Sequence, residues 1–181
     1  MNDKEIKVED RRNIYLIGFM GVGKTAVGRK VARKLGMLFI DSDKAIEDKA
    51  GKSVNQIFSE NGEECFRELE REFIQFGHPE TGCVVACGGG LPIEPGIMDL
   101  LKKRGVIISL FARAETILER TDRRDTRPML KVENKEQRIN ELLKKRQDVY
   151  QKADYLIFSE GRPVEVVVTD IVRAYLRQVK N

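Results

Sequence analysis

The chain has no tryptophan, a single histidine (His78) and three cysteines among 181 residues. One histidine leaves almost nothing from which to build a zinc site or a Ser-His triad. Beside Pro79, His78 reads as a loop residue. Cys65, Cys83 and Cys87 are odd in number and lack metal-type spacing, which points to reduced, mostly buried thiols in a cytoplasmic protein. No apolar run approaches the length of a membrane span, so no membrane role is expected. Residues 1–12 form a polar leader of mixed charge, without the apolar core of a secretory signal. Its acids, Asp3, Glu5, Glu9 and Asp10, also argue against an organelle transit peptide. There is no long basic run. Lys102-Lys103-Arg104 and Lys144-Lys145-Arg146 are short and read as solvated helix faces, so nucleic acid is not an expected partner.

What is present suits one globular domain, residues 13–181, with a net charge of only +4 that fits small acidic ligands. Short apolar runs alternate with helical patterns. The runs are Ile14–Ile17, Met37–Ile40, Val84–Ala86, Val106–Leu110 and Tyr155–Phe158. The helical stretches include one from 26 to 35, a mixed one from 44 to about 60, and a long helix after Gly62 with Phe66, Leu69, Phe73 and Phe76 as its inward stripe. Others follow at 95–104, 114–120 and 135–150, and Pro163 opens the last. This alternation predicts an α/β fold, a three-layer α/β/α sandwich around a five-stranded parallel sheet. Residues 121–134 are dense in charge, poor in apolar side chains and carry Pro128, which reads as a mobile lid.

Gly18 to Thr25, GFMGVGKT, fits the phosphate-binding pattern of Gly, four residues, then Gly-Lys-Ser/Thr. A strand pattern before it and a helix pattern after it supply the required context. Glycines let several backbone N–H groups turn toward one phosphate, and the helix N-terminus adds partial positive charge. Gly21, Val22, Gly23, Lys24, Thr25 and Ala26 are therefore the candidate nucleotide contacts. Lys24 can reach the outer phosphates and Thr25 can offer its hydroxyl to Mg²⁺.

In parallel sheets ligands lie beyond the carboxyl ends of the strands. Asp41-Ser42-Asp43 and Gly88-Gly89-Gly90 both follow strand patterns and should meet the glycine loop on one edge. If the extended backbone continues through Ser42, both acids project to the same side. One can serve Mg²⁺, and the other can orient or deprotonate a hydroxyl; helix capping competes for Asp43. Arg67 and Glu70 are three apart on one helix face. They read either as a surface ion pair or as a carboxylate fork steadied by Glu70. Three glycines in a row allow backbone N–H groups close to a ligand. Arg120, Arg123, Arg124 and Arg127 lie in or beside the lid, where cations favour phosphoryl transfer.

The ordered set Asp41-Ser42-Asp43, Phe66-Arg67-Glu68-Leu69-Glu70, Gly88–Gly90, Arg127-Pro128 and Arg146 before Tyr150 resembles the shikimate kinase family, P-loop kinases with the nucleoside-monophosphate-kinase fold. The likeness runs from about Asn13 to the final helix. It implies ATP and Mg²⁺, with Lys24 and Thr25 on the phosphates and metal and Asp41 in the metal's shell. It implies Asp43 on the shikimate hydroxyls as candidate base, and Arg67, Arg146 and Gly88–Gly90 on the acceptor, the arginines holding its carboxylate. Arg127 would act on the phosphates, and Arg120 and Pro163 would sandwich adenine. The implied reaction moves the γ-phosphoryl group to the 3-hydroxyl of shikimate, in chorismate and aromatic amino-acid synthesis, by a monomeric enzyme. The family often has Ser or Thr where this chain has Cys87, and a thiol is the weaker hydrogen-bonding group. Two alternatives remain: another acceptor such as gluconate, a cyclitol or a nucleoside monophosphate, or a silent nucleotide-binding relative.

Overall fold

The computed structural model describes residues 11–122 and 134–179. Five strands form one sheet in the order β2-β3-β1-β4-β5, all parallel. They are β1 Asn13–Ile17, β2 Leu38–Asp41, β3 Cys83–Ala86, β4 Gly105–Phe111 and β5 Tyr155–Phe158. The helices are α1 Lys24–Leu35, α2 Ser42–Ala50, α3 Val54–Phe76, α4 Ile97–Arg104, α5 Ala114–Asp122, α6 Lys135–Tyr150 and α7 Val164–Gln178. Strands β1 and β3 are buried along their whole length and β4 nearly so, as expected where helices cover both faces of a parallel sheet. Ile14, Leu16, Val84, Val85, Ile107 and Ile108 form its centre.

Several boundaries depart from the sequence expectations. The stretch after β2 is two helices: α2, which ends at Gly51, and the first part of α3, whose Ser53 N-cap makes a reciprocal capping box with Gln56. Gly62 breaks α3 with φ 83, as its glycine suggested, and the helix resumes at Glu63. The inward stripe stops short of Phe76, which is 79% exposed in the last turn of α3. His78 is in a loop but buried. Its Nδ1 lies 2.8 Å from the Pro79 carbonyl and its Nε2 lies 3.4 Å from the Tyr15 hydroxyl. Burial lowers its pKa. The two basic triplets are not wholly solvated. Arg104 donates to the carbonyls of Ile74 and Gln75 at the end of α3, and Arg146 is buried.

Contacts with the domain begin inside the expected leader. Arg11 Nη1 donates to the Leu35 and Gly36 carbonyls at 2.9 and 3.0 Å, and Arg12 forms an antiparallel bridge with Thr81. Among the described residues no helix is long and apolar enough to cross a membrane. Cys83 and Cys87 are buried and Cys65 partly so, all three as free thiols.

Candidate active site

Because all five strands run the same way, their carboxyl ends share one edge. The loop after β1, Asp41 at the end of β2 and Cys87–Gly90 after β3 all converge there, as the topology required. In the first of these, Gly18, Gly21 and Gly23 hold positive φ, curling the chain into α1 without a Cβ penalty. Lys24 Nζ folds over this loop and donates to the carbonyls of Gly18 and Phe19 at 2.8 and 3.0 Å. Thr25 Oγ1 donates to Asp41 Oδ2 at 2.8 Å. Ala26 is exposed in the first turn of α1. Arg120 Nη1 donates to the Gly21 carbonyl at 3.2 Å, so α5 buttresses the loop. Pro163 is exposed at the N-cap of α7.

The extended backbone does not continue through Ser42. Asp41 is the N-cap residue of α2 and its carboxylate caps nothing, while Ser42 already belongs to the helix. The two acids are thus separated by a change from strand to helix rather than aligned along one strand face. Asp41 turns to Thr25, and Asp43, in the first helical turn, lines a cavity of about 370 Å³.

That cavity also gathers Arg67, Glu70, Gly88, Gly89, Gly90 and Arg146. Arg67 and Glu70 are not a surface pair. Nη1 donates to Glu70 Oε2 at 2.6 Å, and the two side chains are 10% and 1% exposed. Arg67 Nη2 donates to Glu63 Oε1 at 2.6 Å. Glu94 Oε1 lies 3.3 Å from Nε as an ion pair without hydrogen-bond alignment, and Nε is left with no acceptor. Burial pushes the Glu70 carboxyl up to about 7; Asp43 and Glu94 add to this, and Arg67 opposes it. Burial works against the charge on Arg67, yet Glu70 and Glu63 outweigh it and raise its pKa, so the guanidinium stays charged. Glu70 Oε1 is buried with no hydrogen-bond partner.

The glycines at 88 and 90 are required by close approach. A Cβ on Gly88 would stand 2.4 Å from Asp43 Oδ1, and one on Gly90 would meet the Arg67 guanidinium just as closely. Gly88 N–H donates to Ser42 Oγ at 2.8 Å. The Gly89 carbonyl accepts from Tyr150 Oη at 2.7 Å and from Arg146 Nη1 at 3.3 Å. Burial raises the Tyr150 phenol to about 12, which keeps it a neutral donor. The Cys87 thiol is buried, with Sγ 4.0 Å from the Val85 carbonyl, and burial raises its pKa. It is therefore a neutral, core-facing thiol.

Sequence reasoning missed part of this arrangement. Phe66, read only as core, forms a cavity wall with Phe58 and Met20, and the two phenyl centroids are 4.9 Å apart. Ser159 donates to the Val22 carbonyl at 2.8 Å across the sheet edge. Glu160 accepts from the Arg113 N–H and from its guanidinium. No local pattern marks these three contacts. Arg127, Arg123 and Arg124 lie outside the described residues, as does most of the expected lid at 121–134.

The hard oxygens of Thr25 and Asp41 fit Mg²⁺, which takes most of its ligands from water and phosphate and needs only one or two protein groups. Among the described residues no cluster of three or more His, Cys, Asp or Glu could cage a metal unaided.

A family model described as shikimate kinase matches residues 20–176. The shikimate kinase of Thermodesulfovibrio yellowstonii is 47% identical over 92% of this chain and 96% of that protein. The shikimate kinase of Caldanaerobacter subterraneus subsp. tengcongensis is 45% identical over 92% and 97%. Among solved structures, shikimate kinase from Acinetobacter baumannii in complex with shikimate superimposes with a TM-score of 0.88 at 38% identity, covering 93% of this chain and 94% of that one. On this match, which takes in the glycine loop from Met20 onward and every residue lining the cavity, the chain belongs to the shikimate kinase family, kinases that use ATP as co-substrate.

Proposed function

We propose that this chain transfers the γ-phosphoryl group of ATP to the 3-hydroxyl of shikimate, giving 3-phosphoshikimate and ADP in aromatic amino-acid synthesis. The observation that carries this reading is one cavity beside the phosphate loop that holds an acid, Asp43, and two buried cations, Arg67 and Arg146. A small polyol with one carboxylate fits that pattern. The cations grip the carboxylate at one end of the ring, which leaves a hydroxyl facing the phosphate.

Phosphoryl transfer asks mainly for positioning and charge stabilisation. The N–H groups of the loop from Gly21 to Ala26 cradle the phosphates at the start of α1. Lys24 exchanges its loop carbonyls for phosphate oxygens and neutralises charge that builds on the transferred group. Arg120 and Pro163 flank the base. Thr25 and Asp41 would hold Mg²⁺, which would supply neutralisation of charge on the phosphate oxygens. Asp43 accepts the hydroxyl's hydrogen bond, and takes its proton as the new O–P bond forms. Gly89 and Gly90 bring backbone N–H groups against the acceptor, while the Gly88 N–H is held by Ser42. The same reading makes the enzyme a cytoplasmic monomer, in keeping with its free, largely buried thiols.

The test is a coupled ADP-release assay with shikimate, gluconate, a cyclitol and a nucleoside monophosphate as acceptors. Shikimate is expected to give the highest kcat/KM by at least about a hundredfold, since an acceptor of another shape leaves some of the cavity's buried polar groups unpaired. Faster turnover with any other acceptor would overturn the assignment.

A further inference from the structure

The Arg67 guanidinium faces more acid than one cation balances. Its Nη1 donates to Glu70, its Nη2 to Glu63, and Glu94 lies 3.3 Å from Nε. Every nitrogen of the group already faces a carboxylate. A guanidinium is planar and its donors form a fixed fork, so a bidentate carboxylate needs two adjacent N–H groups along one edge. A carboxylate on the acceptor therefore arrives at a cation whose charge is already balanced by acids at both Nη groups, and it competes with them for the fork.

The three residents are not equally free to leave. The Glu70 side chain is 1% exposed, so leaving Arg67 would strand its charge in the interior. Glu94 also holds Arg71, at 3.2 Å, and is 23% exposed. Glu63 is 61% exposed and stands one residue past the backbone break at Gly62. It can rotate into water, where a carboxylate loses little. The contact it gives up is a helix i,i+4 pair with one solvated partner, the weak class of ion pair.

We infer that Glu63 is an intramolecular stand-in for the acceptor's carboxylate: it engages Arg67 Nη2 in the absence of acceptor and is displaced by an anionic acceptor. This inference rests on the reading of Arg67 as the acceptor clamp. Glu63 thereby keeps a largely buried guanidinium balanced between turnovers, and it sets a threshold that selects for charge. A neutral polyol of the same size has nothing to exchange for Glu63, whereas a carboxylate replaces one anion by another.

Titration calorimetry on the full chain tests this with two probes, shikimate and its neutral carboxamide. Glu63→Gln is expected to tighten shikimate by about two- to fivefold, the range set by a weak ion pair, and to leave the carboxamide unchanged. Glu63→Ala, which removes the carboxyl altogether, is expected to move shikimate the same way. Glu64→Gln makes the same change in net charge at an exposed neighbouring position and is expected to move neither ligand. Unchanged or weaker shikimate binding in Glu63→Gln overturns the inference. So does equal tightening of both ligands, which would mark an opened pocket, or equal tightening in Glu64→Gln, which would mark bulk charge. Arg67→Ala separates the two levels. If it fails to weaken shikimate, the clamp reading falls and the inference with it. If it weakens shikimate while Glu63→Gln does not tighten it, the inference alone falls.

Discussion

Gly88→Ala is a substitution that should separate catalysis from stability. Gly88 is not among the positive-φ glycines, so alanine can adopt its backbone. Its N–H bond to Ser42 Oγ survives as well. The added methyl meets two carboxylates, at 2.4 Å from Asp43 Oδ1 and 3.0 Å from Glu70 Oε1, where ordinary contact begins at 3.4 Å. Glu70 cannot retreat, because it is almost fully buried and bonded to Arg67 at 2.6 Å. Asp43 can, because its carboxylate ends a short side chain that faces the cavity. The shift needed is about 1 Å, the shortfall from ordinary contact.

A misplacement of ~1 Å at a reacting group costs on the order of 10²-fold in rate, or about 3 kcal/mol of barrier. Folding loses much less. Overpacking a rigid core costs ~1–3 kcal/mol, and a methyl relieved by rotating one side chain belongs at the low end. At ~2–4 °C per kcal/mol for a chain of this size, the melting temperature should fall by only a few degrees. Coupled ADP release at saturating substrates should then show kcat reduced about a hundredfold with the KM for ATP unchanged. If kcat stays within threefold of the parent, Asp43 does not need that position and its assigned role is wrong. If cooperative unfolding is lost, the loop backbone and not the Asp43 side chain absorbs the methyl.

Lys24→Met should lower kcat by about 10²–10³-fold, by removing a cation from the transferred group; rates within tenfold of the parent in the ADP-release assay would count against that role. Glu70 has a folded pKa of about 7, above its ordinary 4.5, so the folded chain holds this proton more tightly than the unfolded one. Its contribution to stability is fully present below about 4.5 and is lost as pH rises through 7. Glu70→Gln should therefore flatten the fall in stability between pH 5 and 7.5, measured by urea unfolding, and an unchanged slope would refute the assignment. Ser159→Ala leaves the Val22 carbonyl without its 2.8 Å donor in a buried setting. It should cost about 1–3 kcal/mol in thermal unfolding and raise the KM for ATP while that for shikimate stays put. Equal rises in both would show that Ser159 supports the sheet edge in general rather than the phosphate loop.

Much of the fold was legible because its signals are local. Apolar runs of four or five residues alternate with helical spacing, and that alternation alone implies a parallel sheet with its loops on one edge. Helix α6 and strand β5 fall where the pattern set them, and the phosphate loop is legible for the same reason, since its chemistry is a property of eight consecutive residues. Errors arose where a neighbour distant in sequence decides. Ser42 could extend β2 or begin α2, and the bond from Gly88, 46 positions away, favours the helix. Phe76 continues a helical stripe past the point where anything covers it. His78 sits in a loop that Tyr15 draws into the core.

The charge balance of the cavity shows why the remainder could not be read one residue at a time. Along α3, Glu63 and Glu70 each stand at helical spacing from Arg67, and each would pass for an inexpensive surface partner. Two things change that, and both are tertiary. The glycine loop after β3 packs onto Arg67 and Glu70 and removes their water, so the pair becomes a desolvated one with an unsatisfied oxygen. The chain beyond that loop then delivers Glu94 to the same guanidinium, 27 positions on in sequence. Once a third acid has arrived, the cation is outnumbered, and that imbalance is the ground for inferring that an acceptor carboxylate exchanges with Glu63. The pattern GEECFRELE sets Glu63, Arg67 and Glu70 at helical spacing, but the balance of charge among them is set by the packing of the glycine loop and Glu94 onto α3.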